Sequence, residues 1–275
     1  MDQLNNNTSR TLYINLFKKA LLDTLHGDQE YKPVLTGGRL FNCVKKYLAW
    51  RGLVACEKIT VRGEARSDGR DWPARGLTMI GSKRLDSLQD CIESVIREEI
   101  PGDLIETGVW RGGTTLFMKA LLMAYGDQSR IVWVADSFEG LPKPNPELYP
   151  ADAGDTHFTF SELAVSKEEV EKNFQRFNLL DENVKFLKGW FKDTLPAAPI
   201  SKLSLMRLDG DMYESTMDAL TALYPKLSRG GYVIIDDYGY IESCRKAVHD
   251  YRTRHMITEQ VVPIDWSGVY WRKVD

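Results

Sequence analysis

Apolar positions recur at helical spacing twice near the amino end. Thr11–Leu25 places Leu12, Leu16, Ala20 and Leu21 close to one helical face, and Leu40–Trp50 repeats an amphipathic pattern after a short link containing glycine. From Glu57 to Gly76 the run EKITVRGEARSDGRDWPARG has no usable period, which predicts a long loop over residues 52–76 that a ligand would order. Beyond Arg84 helices and strands alternate. Helices are expected over Leu85–Glu99, Thr114–Tyr125, Ser166–Phe177, Glu214–Leu227 and Ile241–Arg254. Short apolar strands are expected over Leu104–Thr107, Ile131–Ala135, Val184–Leu187, Leu203–Leu208 and Tyr232–Ile235. Such alternation predicts an α/β fold with a parallel sheet covered on both faces. Gln260–Ile264 and Val269–Arg272, joined by the turn Asp265–Gly268, read as an extended pair closing one edge. Gly140–Ala164 breaks the rhythm: it holds four of the 11 prolines, shows no period, and overhangs the carboxyl ends of the strands, where open α/β sheets bind ligands.

Composition adds exclusions. The chain has 275 residues, 43% hydrophobic and 27% charged, enough for one large domain or a domain with a cap. A net charge of −3 excludes a general pull toward nucleic acid or an anionic membrane surface. No apolar run approaches the ~18 residues of a membrane span, and the start MDQLNNNTSR lacks a secretion signal, so a cytoplasmic protein is expected. The cysteines Cys43, Cys56, Cys91 and Cys244 are scattered without metal-ligand spacing and read as free thiols.

Four strand ends carry candidate chemistry. Leu104–Gly113 (LIETGVWRGG) runs from a strand through a glycine turn into a helix; the turn admits a ligand to the backbone, and Glu106 suits a cationic ligand rather than a pyrophosphate. An ordinary tight turn has the same composition. Asp136, ending the next strand, suits the two hydroxyls of a ribose, or equally a turn or helix cap. Asp209 and Asp211 end a third strand, and Asp236 and Asp237 a fourth. If those strands are neighbours, four carboxylates meet at one rim, and a hard divalent ion such as Mg²⁺ is the simplest compensation; the alternative is that they cap a helix or face solvent.

ETGVWRGG, VADSFEGLP, GWFKDTLP (Gly189–Pro196), RLDGDMYEST (Arg207–Thr216) and IIDDY together resemble the macrocin O-methyltransferase family, from about Leu77 to the end. The resemblance implies a class I S-adenosylmethionine-dependent methyltransferase, Rossmann-like, with seven mostly parallel strands over residues 85–275 and a helical lid over residues 1–84 that shapes the acceptor pocket. It also implies that Glu106, Thr107, Gly108, Arg111, Gly112, Gly113 and Thr114 hold the methionine part of the cofactor, and Asp136 and Ser137 the ribose. Gly189, Trp190 and Phe191 would border the adenine, and Thr78, Met79 and Ile80 would close over the cofactor. Asp209, also beside the cofactor, would ligate Mg²⁺ with Asp236 and Asp237, and Asp211 would be the general base. The implied acceptor is a vicinal diol on the sugar of a glycosylated natural product such as a macrolide, and the implied assembly a homo-oligomer.

Rival readings predict other features. A nicotinamide-dependent oxidoreductase needs Gly-x-Gly-x-x-Gly after its first strand, which is absent here, and a non-catalytic module predicts loss of the carboxylates. A catechol-type O-methyltransferase would use the same acids on a planar diol. His157 in the proline-rich interval reads more readily as a surface residue than as a ligand.

Overall fold

The computed structural model describes residues 2–274 except 26, 28, 35 and 62, with side chains from Asn7 onward. Its centre is a seven-stranded sheet. In chain order the first elements are α1 (Asp2–Leu21), β1 (Gln29–Pro33), α2 (Arg39–Trp50), β2 (Cys56–Thr60), α3 (Gly63–Ser67) and α4 (Gly81–Arg97). The core follows with β3 (Asp103–Thr107), α5 (Gly113–Ala124), β4 (Val132–Asp136), α6 (Lys167–Arg176), β5 (Val184–Lys188), α7 (Phe191–Thr194), β6 (Leu203–Leu208), α8 (Tyr213–Leu223), β7 (Leu227–Ile235), α9 (Glu242–Arg254), β8 (Val262–Pro263) and β9 (Val269–Arg272).

The strand order is β5-β4-β3-β6-β7-β9-β8, parallel from β5 to β7, with β9 running antiparallel between β7 and β8. β3 and β6 are buried almost throughout, which is why they read as unbroken apolar runs. Two apolar clusters cover the two faces of the sheet, one built on α4 and α5, the other on α8 and α9. Both β3 and β6 are central, so their carboxyl ends, with those of β4 and β7, form one rim at the switch in strand order.

The amino-terminal region departs from the expectation in two ways. α1 buries Ile14, Phe17 and Leu21, not Leu12 and Leu16, which stand 66% and 57% exposed. Phe17 stacks against Phe117 and meets Phe177 at a tilt, so α1 packs into the sheet's own core. The predicted loop over residues 52–76 contains β2 and α3, and β2 pairs with β1 as a two-stranded antiparallel ribbon. Part of the glycine-containing link after α1 lies outside the described residues. The interval 140–164 is largely irregular, interrupted by three single 3₁₀ turns at Pro150–Asp152, His157–Thr159 and Ser161–Leu163. Among the described residues no helix is long and apolar enough to cross a membrane.

Candidate active site

The rim is built by turns that the sequence forces. After β3 the chain reverses at Gly108, with φ +83°; a Cβ there would lie 1.7 Å from the Asp209 carbonyl oxygen, so only glycine lets the ends of β3 and β6 approach this closely. Asp136 ends β4 and accepts from the backbone N–H of Val109 and of Phe138, both at 2.7 Å. Burial raises its carboxyl above the ordinary range, and those donors oppose the shift.

Asp209 follows β6, and Asp236 and Asp237 follow β7. One carboxylate oxygen from each lies within 4.8 Å of the others. Beneath them is Arg207, 1% exposed, whose Nη1 donates to Glu106 Oε1 at 2.5 Å and to Asp209 Oδ2 at 2.8 Å while Nη2 donates to Asp236. Arg84, from the first turn of α4, also donates to Asp236 and, through Nε, to Asp265 at 3.0 Å. A divalent ion is the simplest compensation for clustered acids of this kind. Two guanidinium groups already supply part of that charge, and neither was singled out in advance.

Asp211 and Asp237 carry no arginine among the described residues. Burial, then the neighbouring Asp209, pushes the Asp211 carboxyl up to about 7, and burial together with Asp211 raises that of Asp237. Burial pushes Glu106 up to about 8, with Arg207 opposing. Only one Glu106 oxygen is engaged; Oε2 is buried without a partner.

All of the residues singled out in the sequence line one cavity of about 450 Å³, except Thr107, Arg111, Gly112 and Gly113. These four sit behind its wall. Thr107 is buried inside β3. A Cβ at Gly112 would meet Val170 at 2.7 Å and one at Gly113 would meet the Leu77 carbonyl at 2.3 Å, so these glycines serve packing. Arg111 turns away from the cavity, stacking 4.1 Å over the Trp110 ring and donating through Nη1 to the carbonyls of Pro73, Ala74 and Gly76.

Residues 10–273 match the family model described as macrocin-O-methyltransferase (TylF). The chain belongs to the macrocin O-methyltransferase family. It is 46% identical to demethyldecarbamoylnovobiocin O-methyltransferase of Streptomyces niveus, over 97% of this chain and 95% of that one. It is 52% identical to mycinamicin III 3''-O-methyltransferase of Micromonospora griseorubida, over 76% of this chain and 84% of that one. The structure of the O-methyltransferase NovP superposes with a TM-score of 0.84 at 46% identity, covering 97% of this chain and all of that one. The calicheamicin methyltransferase CalS11, 18% identical with a TM-score of 0.60 over 88% of this chain and 95% of that one, shares the fold.

As a member of this family, the protein is an S-adenosylmethionine-dependent O-methyltransferase on a class I α/β core. The cavity's outer wall is rich in aromatic side chains. Trp72 meets Phe160 edge-on at 6.0 Å, Phe160 meets His157 at 5.5 Å, and Trp266 meets Tyr240 at 5.2 Å. His157 lines the cavity, with Nδ1 2.8 Å from Asp155 Oδ2, instead of standing on the open surface.

Proposed function

We propose that the protein is a Mg²⁺-dependent O-methyltransferase that methylates one hydroxyl of a vicinal diol on the sugar of a glycosylated secondary metabolite. The observation that carries this reading is the cluster of Asp209, Asp236 and Asp237 beside Asp211, open to the same cavity as Glu106 and Asp136. Three carboxylate oxygens within 4.8 Å form an oxygen-only donor set that fits a small hard cation, with room left for water or substrate oxygens. The buried, unpartnered Glu106 Oε2 fits the ammonium of a methionine moiety. Relatives support a sugar acceptor, though not the diol: one is named for the 3'' position of mycinamicin III, another for the 4' position of a 2,3-dimethoxyrhamnosyl tetracenomycin, where the neighbouring 3-oxygen is already methylated.

Asp209, Asp236 and Asp237 would hold the Mg²⁺, and Asp136 and Ser137 the ribose of S-adenosylmethionine, with Thr78, Met79, Ile80 and Gly189–Phe191 against the remainder. When bound, the cofactor supplies an electrophilic methyl group and the metal a positive charge that acidifies the acceptor's hydroxyls. Asp211 takes the hydroxyl proton. Burial, then Asp209, raises its carboxyl above the ordinary range, which strengthens it as a proton acceptor. Arg207 fixes Glu106, Asp209 and Asp236 relative to one another, so that the carboxylates need not reorganise when charge moves.

Calorimetric titration of chelator-treated protein with S-adenosylhomocysteine, then Mg²⁺, tests the reading, together with methyl transfer to mycinamicin III and related glycosides. Expected are cofactor binding in wild type and in Asp236→Asn, Asp237→Asn, metal binding in wild type alone, and turnover abolished by chelation. Turnover that persists without divalent metal overturns the Mg²⁺ part. The exposed apolar stripe of α2 (Leu40, Val44, Tyr47, Trp50) supports the further expectation of a homo-oligomer, which sedimentation of Trp50→Glu against wild type checks.

A further inference from the structure

The segment 140–164 forms one wall of the cavity; ring contacts of Tyr149 with Tyr213 and of Phe160 with Trp72 help to hold it, and one buried carboxylate fastens its middle by hydrogen bonds. At its ends Ser137 Oγ donates to the Gly140 carbonyl at 2.7 Å and Trp110 Nε1 donates to that of Glu162 at 2.9 Å. Between those ends, among the described residues, its hydrogen bonds stay inside the segment with one exception. Asp152, 1% exposed, accepts from the backbone N–H of Tyr213 at 2.7 Å and of Glu214 at 3.0 Å.

Those two groups are the first N–H donors of α8. The residue before the helix is Met212, whose thioether is only a weak acceptor and makes no capping hydrogen bond, so α8 has no cap of its own. Asp152 supplies the cap from about sixty residues away. Among the described residues it makes no ion pair, and a carboxylate so deeply buried is tolerated because both its oxygens meet the positive end of a helix. A segment needing only to be covered would be held at lower desolvation cost by an apolar side chain.

The place of contact gives the clasp its meaning. Immediately before α8 the chain makes a tight turn, with Met212 N–H donating to the Gly210 carbonyl at 2.6 Å and Asp211 held at φ +58°. The first residues of α8 therefore set where the Asp211 carboxylate points. On the other side of the clasp, five residues after Asp152, is His157 on the same cavity wall.

We propose that Asp152 is a positioning residue that clasps the acceptor-side wall to the Asp211 turn, so that the base and the surface receiving the acceptor are placed by one contact. The effect on turnover rests on Asp211 being the base, as proposed above; the clasp itself does not.

Hydrogen exchange followed by mass spectrometry and NMR tests it in wild type, Asp152→Asn and Asp152→Ala. In wild type the Tyr213 and Glu214 amides are expected to be protected, although first-turn amides of a helix ordinarily exchange freely. In the variants, peptides from 141–163 and 209–216 should exchange about tenfold faster or more, while β3 and β4 keep their protection and S-adenosylhomocysteine affinity stays within about twofold. On a glycoside that the wild type methylates, the acceptor KM should rise and kcat fall about tenfold with the S-adenosylmethionine KM unchanged. Unprotected Tyr213 and Glu214 amides in wild type overturn the clasp even if neither variant folds. Uniform acceleration across the sheet, or equal loss for both substrates, reduces Asp152 to a general stabiliser and overturns the positioning role. Full turnover in Asp211→Asn would overturn the base assignment and leave the exchange result standing.

Discussion

Asp211 occupies the left-handed region, where asparagine is tolerated and most other side chains are strained. Asp211→Asn is therefore expected to keep its fold and its S-adenosylhomocysteine affinity while kcat falls by about 10²–10⁴, read by steady-state kinetics and calorimetry on the same preparation. Asp218, on the cavity-facing side of α8, offers a second test. Burial, with Glu214 adding, pushes its carboxyl from the ordinary 3.8 up to about 6. A carboxyl raised in the folded state favours folding while protonated, so its contribution is full below pH 3.8 and lost as pH rises to about 6. Asp218→Asn should match wild type in urea unfolding near pH 4 and exceed it by about 1–2 kcal/mol above pH 6. The acids at the strand ends were legible because each follows a short apolar run directly. Arg84 and Arg207 were not, since their meaning depends on partners brought from other strands.

Elements whose inward face is apolar were found close to their true limits; those built otherwise were not. In β1 the buried residue is Glu30, paired with Arg66 of α3 at 2.7 Å, so the ribbon and the short helix beside it are tied by charge where a periodicity search looks for oil. α1 fails differently. It carries Leu12, Tyr13, Ile14, Leu16 and Phe17 almost all round, and the face that wins is decided by Phe117 on α5, which no local pattern reveals. This makes α1 a structural helix of the core. Phe17→Ala should lower stability by about 3 kcal/mol, measured by denaturant unfolding. The same change should leave the cofactor KM of the folded fraction untouched, since α1 does not line the cavity.

The molecule as a whole divides into a sheet that carries the acids and peripheral pieces that surround the cavity. Cysteines mark this division. Cys43 on α2 and Cys56 on β2 are exposed, whereas Cys91 and Cys244 are buried, and burial pushes the Cys91 thiol up to about 12 and raises that of Cys244. A colorimetric thiol reagent should therefore modify Cys43 and Cys56 in the native protein and all four residues after unfolding; native labelling of Cys91 would show that α4 opens readily. A parallel sheet was readable from the alternation of helices and short apolar strands, and an edge-closing pair from the turn at Asp265–Gly268; the seven-stranded class I arrangement was implied by the family resemblance, and the observed strand order by neither. The distribution of walls around the rim was not readable either, because segment 63–80 is held by the Arg111 side chain and by the backbone of Leu21 and Gly113, and segment 140–164 by the backbone of Tyr213 and Glu214, all distant in sequence.

That last arrangement sets a rule for transplanting loops. The acids and the cofactor wall stand on strand ends, so the piece facing the acceptor can be exchanged for another without touching the sheet. The exchange is not free of grammar, however. A donor loop lacking a carboxylate at the place of Asp152 leaves the opening amides of α8 bare, and whatever acceptor range it brings arrives with the neighbouring turn adrift. Chimeras are therefore best cut on either side of 140–164 with that one acid retained.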